Sequence, residues 1–364
     1  MSRQTVNLTR HKIKKKLHIL AIVISAAMLM SCSSASDNTG VLPDAAEPDN
    51  SSDMTGEYFD DEEAATDHAA SGDMIPGDSP ADDSESGVIS ADPVDSWIRE
   101  HGIYREAAYV DISHNDVKDV DIDAVIERLP NLERLVMIDC GLDNDGYASL
   151  QDRHPDIKIV WEIVLDYWTI RTDVVAFSTF KTTAEEFYMN NDDAYYLKYC
   201  NELVALDLGH NYVSDLSFLE YMPELKVLIL VDNVKEKDGE TLRHLTDLSE
   251  VGYCTKLRYL EIFANNVSDF SFMENLTELE DLNISYNSVS SIQYMQNMPN
   301  IKKLWMEHTY IPYSGYQTLA RLYPNARIVV SGEGSVDQGW RSGARYVAVR
   351  RMFRENVIDE IYRD

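Results

Sequence analysis

Apolar residues recur along the second half of the chain in a fixed frame. Each unit has apolar residues at its first, fourth and sixth positions, and most units have asparagine at the ninth. The unit starts are Leu203, Leu225, Leu257, Leu279 and Ile301, and similar units start upstream at Ala107 and Leu132. Side chains alternate along a strand, so the fourth and sixth residues of a unit point to the same side. The pattern predicts one short strand per unit and a shared core formed by stacking the units.

The spacing and the polar positions of these units indicate a particular class of repeat. The step is 22 residues, except for 32 residues between Leu225 and Leu257, and Asp215-Leu216 follow the asparagine at position 211. This resembles the leucine-rich repeat and is similar to the subclass that includes the bacterial internalins. The resemblance implies an α/β solenoid, a right-handed superhelix with a parallel sheet on its concave side. The asparagine is expected to satisfy backbone groups at each turn, and Cys140 and Thr309 weaken that turn without breaking the frame.

A larger duplication divides the repeats into two blocks. Residues 146–160 match residues 315–329 at a constant offset of 169, with Gly, Tyr, Leu, Pro, Ile and Val at equivalent places. We therefore expect a first block over 93–177, which ends in a closing hairpin, and a second block over 178–330. The sequence leaves open whether the blocks form one bent solenoid or two abutting units.

The last segment, 331–364, predicts a C-terminal cap. Its apolar residues between Tyr346 and Val357 fall at helical spacing, and solenoids need a terminal element to cover the last repeat. Five arginines between Arg341 and Arg354 form the one basic cluster downstream of the first 31 residues. We expect these arginines to form salt bridges with the acidic body of the protein, and contact with an anionic surface is the alternative.

The N-terminus predicts export and lipid anchoring. Residues 1–31 contain six basic and no acidic side chains, followed by an apolar run from Leu17 to Met30. This order is typical of a signal peptide, and the run is too short for a permanent spanning helix. Leu29-Met30-Ser31-Cys32 resembles the lipobox of bacterial lipoproteins, which implies a diacylglycerol on Cys32. The alternative is an ordinary signal peptide with an incidental cysteine.

The segment that follows, 32–92, predicts a lipid-anchored, disordered linker. Residues 33–96 contain eighteen acidic residues and no Lys or Arg, and like charges and few large apolar residues favour an extended chain. A coil of about 60 residues spans ~45 Å between its ends. The whole chain has 63 acidic and 32 basic residues, for a net charge of -31. This charge argues against a nucleic-acid partner, because phosphate binding needs a basic surface.

The remaining residue types give no sign of catalysis, a cofactor or a metal site. Cys200 and Cys254 occupy an apolar, inward-facing position two repeats apart, too far for a disulfide. His114, His210 and His308 share one position in units that are not neighbours, so the repeat does not bring their imidazoles together. No nucleophile, metalloprotease, phosphate-loop or dinucleotide motif is present. We therefore predict a protein that is not an enzyme.

Residues that alternate with the inward leucines point to the concave face and form the predicted ligand-binding surface. They are Val227, Ile229, Val231, Tyr259, Glu261, Phe263, Asn283, Lys303 and Trp305. An exposed patch of such apolar residues is typical of protein-binding surfaces. The sequence thus predicts a lipid-anchored cell-surface protein of a bacterium that binds another protein. A structural envelope component that binds polysaccharide or a neighbouring surface protein is the alternative, because aromatic faces also stack on sugars. A further alternative is that the insertion after Asn233, or the cap, covers this surface.

Overall fold

The computed structural model describes residues 92–180, 187–238, 241–332 and 338–363. Every described residue belongs to one compact unit. The predicted signal peptide over 1–31, the lipid-attachment residue Cys32 and the predicted linker over 32–92, apart from Asp92, lie outside the described residues.

Short strands dominate the described chain. They are β1 (Tyr109–Asp111), β2 (Arg134–Val136), β3 (Lys158–Val160), β4 (Glu162–Val164), β5 (Thr169–Arg171), β6 (Ala176–Ser178), β7 (Ala205–Asp207), β8 (Val227–Ile229), β9 (Val234–Asp238), β10 (Thr241–His244), β11 (Tyr259–Glu261), β12 (Asp281–Asn283), β13 (Lys303–Trp305) and β14 (Arg327–Val329). The helices are α1 (Pro93–Glu100), α2 (Ile122–Glu127), α3 (Asn144–Arg153), α4 (Asn191–Ala194), α5 (Tyr313–Leu322) and α6 (Ala344–Glu355). Turns of 3₁₀ helix are Tyr195–Tyr199, Ser217–Tyr221, Ser249–Tyr253, Ser271–Asn275, Gln293–Met295 and Glu360–Tyr362.

The strands of successive repeats form parallel sheets, as the leucine-rich-repeat frame predicts. One sheet has the order β1-β2-β3, and a second has the order β6-β7-β8-β11-β12-β13-β14. In the larger sheet the central leucines align in register, so Leu228 lies beside Leu206 on one side and Leu260 on the other. The sequence prediction of an α/β leucine-rich-repeat solenoid with a parallel sheet is confirmed.

Two antiparallel hairpins interrupt the repeats. The first, β4–β5, follows β3, and the chain then restarts the stack with β6, where the sequence predicted a closing hairpin. The second, β9–β10, contains the extra residues between the units at Leu225 and Leu257. Although the hairpin β4–β5 separates the two parallel sheets, one apolar core runs from Val110 to Leu319 through both blocks.

A ladder of asparagines holds neighbouring repeats together. Asn287 shows the pattern: its Oδ1 accepts a hydrogen bond from the Val267 amide at 3.0 Å, and its Nδ2 donates to the carbonyl of Ile262 at 2.9 Å. Asn265 likewise accepts from the amide of Asn233 at 3.0 Å. The side chain therefore replaces backbone partners at the turn that follows each strand, as expected from the sequence.

Two units use other residues at the ladder position. The Cys140 thiol donates to the Ile112 carbonyl at 3.2 Å, and the Thr309 hydroxyl donates to the Met306 carbonyl at 3.1 Å. Each keeps one donor for a carbonyl at the turn, where an asparagine amide has two donor hydrogens. The turn therefore retains its shape in both units.

The C-terminal segment, which the sequence predicted as a cap, contacts the last strand through its first residues and then lies along the concave face. Helix α6 contacts β6 and β7, which lie at the opposite end of the larger sheet from β14. A helix of 12 residues is about 18 Å long, which is long enough to cross about four strands spaced ~4.8 Å apart. We call residues 338–363 the strap. It lies across the concave face because apolar and acidic residues of the sheet match its own apolar and basic residues.

Candidate functional site

The concave face of the larger sheet is lined by two rows of side chains, one on each side of the central leucines. The first row contains Val227, Tyr259, Asp281 and Lys303, and the second contains Ile229, Glu261, Asn283 and Trp305. Pleating turns both rows away from the repeat core. Apolar and charged groups therefore share one surface.

The strap and this surface form a second apolar core. It contains Val227, Tyr259 and Trp305 from the sheet together with Val349, Met352, Phe353 and other residues of the strap. Trp340 lies between two aromatic rings, with its ring centroid 5.3 Å from Tyr259 and 5.3 Å from Trp305. Only 1% of Trp340 is exposed. The strap is therefore packed into the concave face as tightly as a core element.

Arginines of the strap neutralise two carboxylates that are buried in the sheet. Arg345 donates to both oxygens of Asp281, at 2.6 and 2.7 Å, and Asp281 is 1% exposed. Arg341 donates to Glu261 at 3.2 Å, and the hydroxyl of Tyr259 donates to the other oxygen of Glu261 at 2.7 Å. The expectation that these arginines pair with the acidic body is confirmed for both residues. A bidentate pair of this kind also fixes orientation.

A third carboxylate, that of Glu280, binds a cluster of cations at the start of β12, at the edge of the concave face. Arg258 donates to it at 2.6 Å and Lys302 at 2.8 Å, and Arg345 lies 3.6 Å away. Burial raises the pKa of Glu280, but the hydrogen bonds from Lys302 and Arg258 outweigh burial and hold the pKa below its ordinary value. Glu280 is therefore ionised and compensated at neutral pH.

Cations of the sheet in turn bind backbone carbonyls of the strap. The Lys303 ammonium donates to the carbonyls of Gly339, Trp340 and Ser342 at 2.8 to 3.1 Å. Arg258 donates to the carbonyl of Ile361 at 2.6 Å, and Lys226 donates to that of Tyr362 at 2.8 Å. These hydrogen bonds are made to backbone carbonyls rather than to side chains. The concave face therefore holds the backbone of the strap in place at both ends.

The strap also binds the first strand of the larger sheet. The side-chain oxygen of Asn356 accepts hydrogen bonds from the amides of Val175 and Ala176 at 3.0 and 3.1 Å. Asn356 has φ 48°, in the left-handed region that ends a helix and that asparagine tolerates better than most residues. The end of α6 therefore satisfies backbone donors at the start of β6, the edge strand of the larger sheet.

The predicted ligand-binding residues fall into two groups by exposure. Val227, Val231, Tyr259, Glu261, Asn283 and Trp305 are buried, and Ile229, Phe263 and Lys303 are partly exposed. The expectation that this surface is open to solvent is wrong, because the strap covers much of it, as the alternative with the cap anticipated. Their role in ligand binding stays a prediction.

Sequence reasoning expected the strap arginines to pair with the acidic body but did not place the strap residues on the concave face. Trp340, Arg345 and Tyr362 lie far from the repeats in sequence, and no period relates them to the strands that they touch. The signal that could have found them is charge: one basic cluster follows repeats whose concave positions include Glu261 and Asp281.

Histidines and cysteines of the described chain form no obvious reactive centre. His210 and His244 both contact Asp232, at 3.1 and 3.2 Å, while His308 stacks on Tyr286. Among the described residues, no group of three or more His, Cys, Asp or Glu side chains could hold a metal ion.

The thiols of Cys140, Cys200 and Cys254 are free and buried, which confirms the predicted core position of the last two. Burial raises the pKa of Cys200 and of Cys254 to about 12. Within the described ranges, none of the helices combines the length and the apolar character needed to cross a membrane.

Comparison with known proteins gives likenesses of fold only. No protein-family model and no curated protein matches the chain. Among solved structures, internalin C2 of Listeria monocytogenes is 18% identical, over 62% of this chain and 80% of that one, with a TM-score of 0.33. A leucine-rich-repeat protein of Leptospira interrogans is 16% identical, over 60% of this chain and 59% of that one, with a TM-score of 0.32. The fold assignment itself rests on the parallel sheets and the asparagine ladder of this chain.

Proposed function

We propose that this chain is a lipid-anchored bacterial surface protein whose concave face binds another protein. The observation that carries the proposal is that this face already buries a polypeptide segment. It does so with an aromatic centre, buried ion pairs and bonds to backbone carbonyls. Aromatic anchors and arginine pairs are the features that dominate protein–protein interfaces.

The lipid anchor is supported by sequence alone. A basic segment, an apolar run and Cys32 follow one another in the order of a lipoprotein signal. Two or more acyl chains hold a protein stably on a membrane, whereas one chain does so only marginally. Metabolic labelling with a radioactive fatty acid tests this: we expect label on the wild-type chain and none on Cys32→Ala. Equal labelling of the wild-type chain and of Cys32→Ala would show that Cys32 does not carry the lipid.

A protein ligand is favoured over a polysaccharide for a structural reason. Tyr259 and Trp305 pack against Trp340, a side chain of a polypeptide segment, and Lys303 donates to three backbone carbonyls of the same segment. Tyr259 and Trp305 are unsuitable as binding probes. Replacing either by alanine removes packing from the second core, so a loss of binding could not be separated from a loss of structure.

The partly exposed Phe263 offers a better test of the concave face. The mature chain, its Phe263→Ala variant and a Tyr253→Ala control are immobilised and incubated with surface proteins of the producing cell. Tyr253 is a matched control, because it is an aromatic residue of the preceding repeat, is 58% exposed and lies on the 3₁₀ turn Ser249–Tyr253 rather than on a strand. We expect a ligand that wild type and control both recover and that Phe263→Ala loses. If all three recover the same proteins, the concave face is not the binding site.

A further inference from the structure

The strap forms a layer that is separate from the core of the repeats. Apolar residues of the repeats belong to one cluster, which contains no residue from 338–363. The strap belongs to a second cluster, which it shares with the concave face of the larger sheet. Ladder bonds within the sheet satisfy most of the backbone beneath it. Removing the strap would therefore uncover the concave face without opening the core of the repeats.

The uncovered face has a definite chemical preference. Glu261 and Asp281 are each 1% exposed and pair with Arg341 and Arg345 of the strap. A buried carboxylate that loses the cation paired with it is strongly unfavourable, so a replacement for the strap must bring cations to the same two places. An acidic peptide or a nucleic acid would bring like charge instead and would be repelled.

The strap shows which kind of segment fits the concave face around these carboxylates. Helix α6 presents Val349, Met352 and Phe353 to the sheet, and its outer side carries the exposed Arg350 and Arg354. Apolar grooves bind amphipathic helices through apolar side chains at helical spacing. Arg341 and Arg345 supply the charge match, and an aromatic side chain at the place of Trp340 fills the space between Tyr259 and Trp305.

We propose that the protein ligand of the concave face is a basic, amphipathic helical segment, and that the strap occupies its place until it binds. This inference rests on the proposed function and specifies the ligand of the same site. A segment within the same chain competes at an effective concentration in the millimolar range. The strap therefore excludes weak ligands and yields to a segment that matches the face better.

The test uses the full mature chain and a fluorescent synthetic peptide of residues 338–363 as the probe. Three chains are compared: wild type, Arg345→Glu, and the charge-swapped pair Asp281→Arg with Arg345→Asp. Arg345→Glu places two like charges at the buried Asp281 and releases the strap, whereas the charge swap restores an ion pair and keeps it in place. Hydrogen exchange reports on α6, and exchange in β11–β13 confirms that the repeats stay folded.

We expect Arg345→Glu to bind the peptide at least about tenfold more tightly than wild type, because its own strap competes less. The charge-swapped chain should not gain binding, and a peptide with Arg341→Glu and Arg345→Glu should bind none of the three. If α6 stays protected in Arg345→Glu, the strap is a permanent part of the fold and the proposal fails. It fails equally if α6 is released and the peptide binds no better than to wild type.

A milder variant keeps the test decisive should charge reversal unfold the repeats. Arg345→Gln removes the cation without adding a negative charge, and the same order of peptide affinities is expected with a smaller difference. No difference from wild type in either exchange or affinity would again overturn the proposal. Failure here combined with ligand capture that depends on Phe263 would leave the concave face as the binding site, for a ligand of different chemistry.

Discussion

Asn287→Ala tests whether the asparagine ladder holds successive repeats together. Asn287 is 3% exposed, and its side chain bonds the Val267 amide and the carbonyls of Ile262 and Ile284 at 2.9 to 3.1 Å. Alanine removes both the acceptor and the donor, and each buried group left without a partner costs about 1–3 kcal/mol. The Ile262 carbonyl keeps a bond from Asn265, so we expect a loss of about 3 kcal/mol in the free energy of unfolding.

Asn266, a residue of the preceding repeat, provides the control for this measurement. Asn266 is exposed, and its side chain accepts a single bond from the Ser288 hydroxyl. Surface substitutions of this kind change stability by about 0.5 kcal/mol or less. Urea denaturation of wild type, Asn287→Ala and Asn266→Ala, followed by far-ultraviolet circular dichroism, gives both differences.

Thr309 shows what a partial ladder residue retains, namely one bond to a carbonyl. Asn287→Thr should therefore lose less stability than Asn287→Ala. If Asn287→Ala and Asn266→Ala destabilise the protein equally, the side-chain bonds seen at the turn do not hold the repeats together.

Three further predictions concern the strap, the thiols and an ion pair. Trp340→Ala should lower the free energy of unfolding by about 3–5 kcal/mol and should speed hydrogen exchange in α6 more than in β1–β3. Equal acceleration of exchange in α6 and in β1–β3 would contradict a separate second core. Cys200 and Cys254, whose pKa burial raises to about 12, should resist iodoacetamide at mildly alkaline pH in the native protein and react fully in urea. Labelling of the native thiols, read by mass spectrometry, would show that the core position is wrong. Glu280→Gln should destabilise the protein at neutral pH, and its difference from wild type should narrow as the pH falls below 4.5, the ordinary pKa of that carboxyl. The pKa of Glu280 is lowered in the folded state, so its carboxylate stabilises the fold above the unfolded pKa, and this contribution is lost in acid. A difference in urea midpoint between Glu280→Gln and wild type that does not change with pH would contradict this prediction.

Part of the site could be predicted from sequence, because strand alternation assigns each residue to a face. Tyr259, Glu261 and Trp305 do lie on the concave side, as expected. Whether a face is covered is a different question, which alternation does not answer. The apolar side of α6 suits the open end of a solenoid as well as its inner wall, so helical spacing alone could not place it.

The sequence by itself determined the repeat, the parallel register and the ladder, because each unit contacts only its neighbours and its pattern is complete within 22 residues. Only the tertiary structure decided that the concave face is occupied. That result depends on contacts such as Arg341 with Glu261, 80 residues apart, and Asn356 with Val175, 181 residues apart. No local pattern encodes such pairs, because they arise when buried carboxylates and aromatic rings of one segment find their match in another.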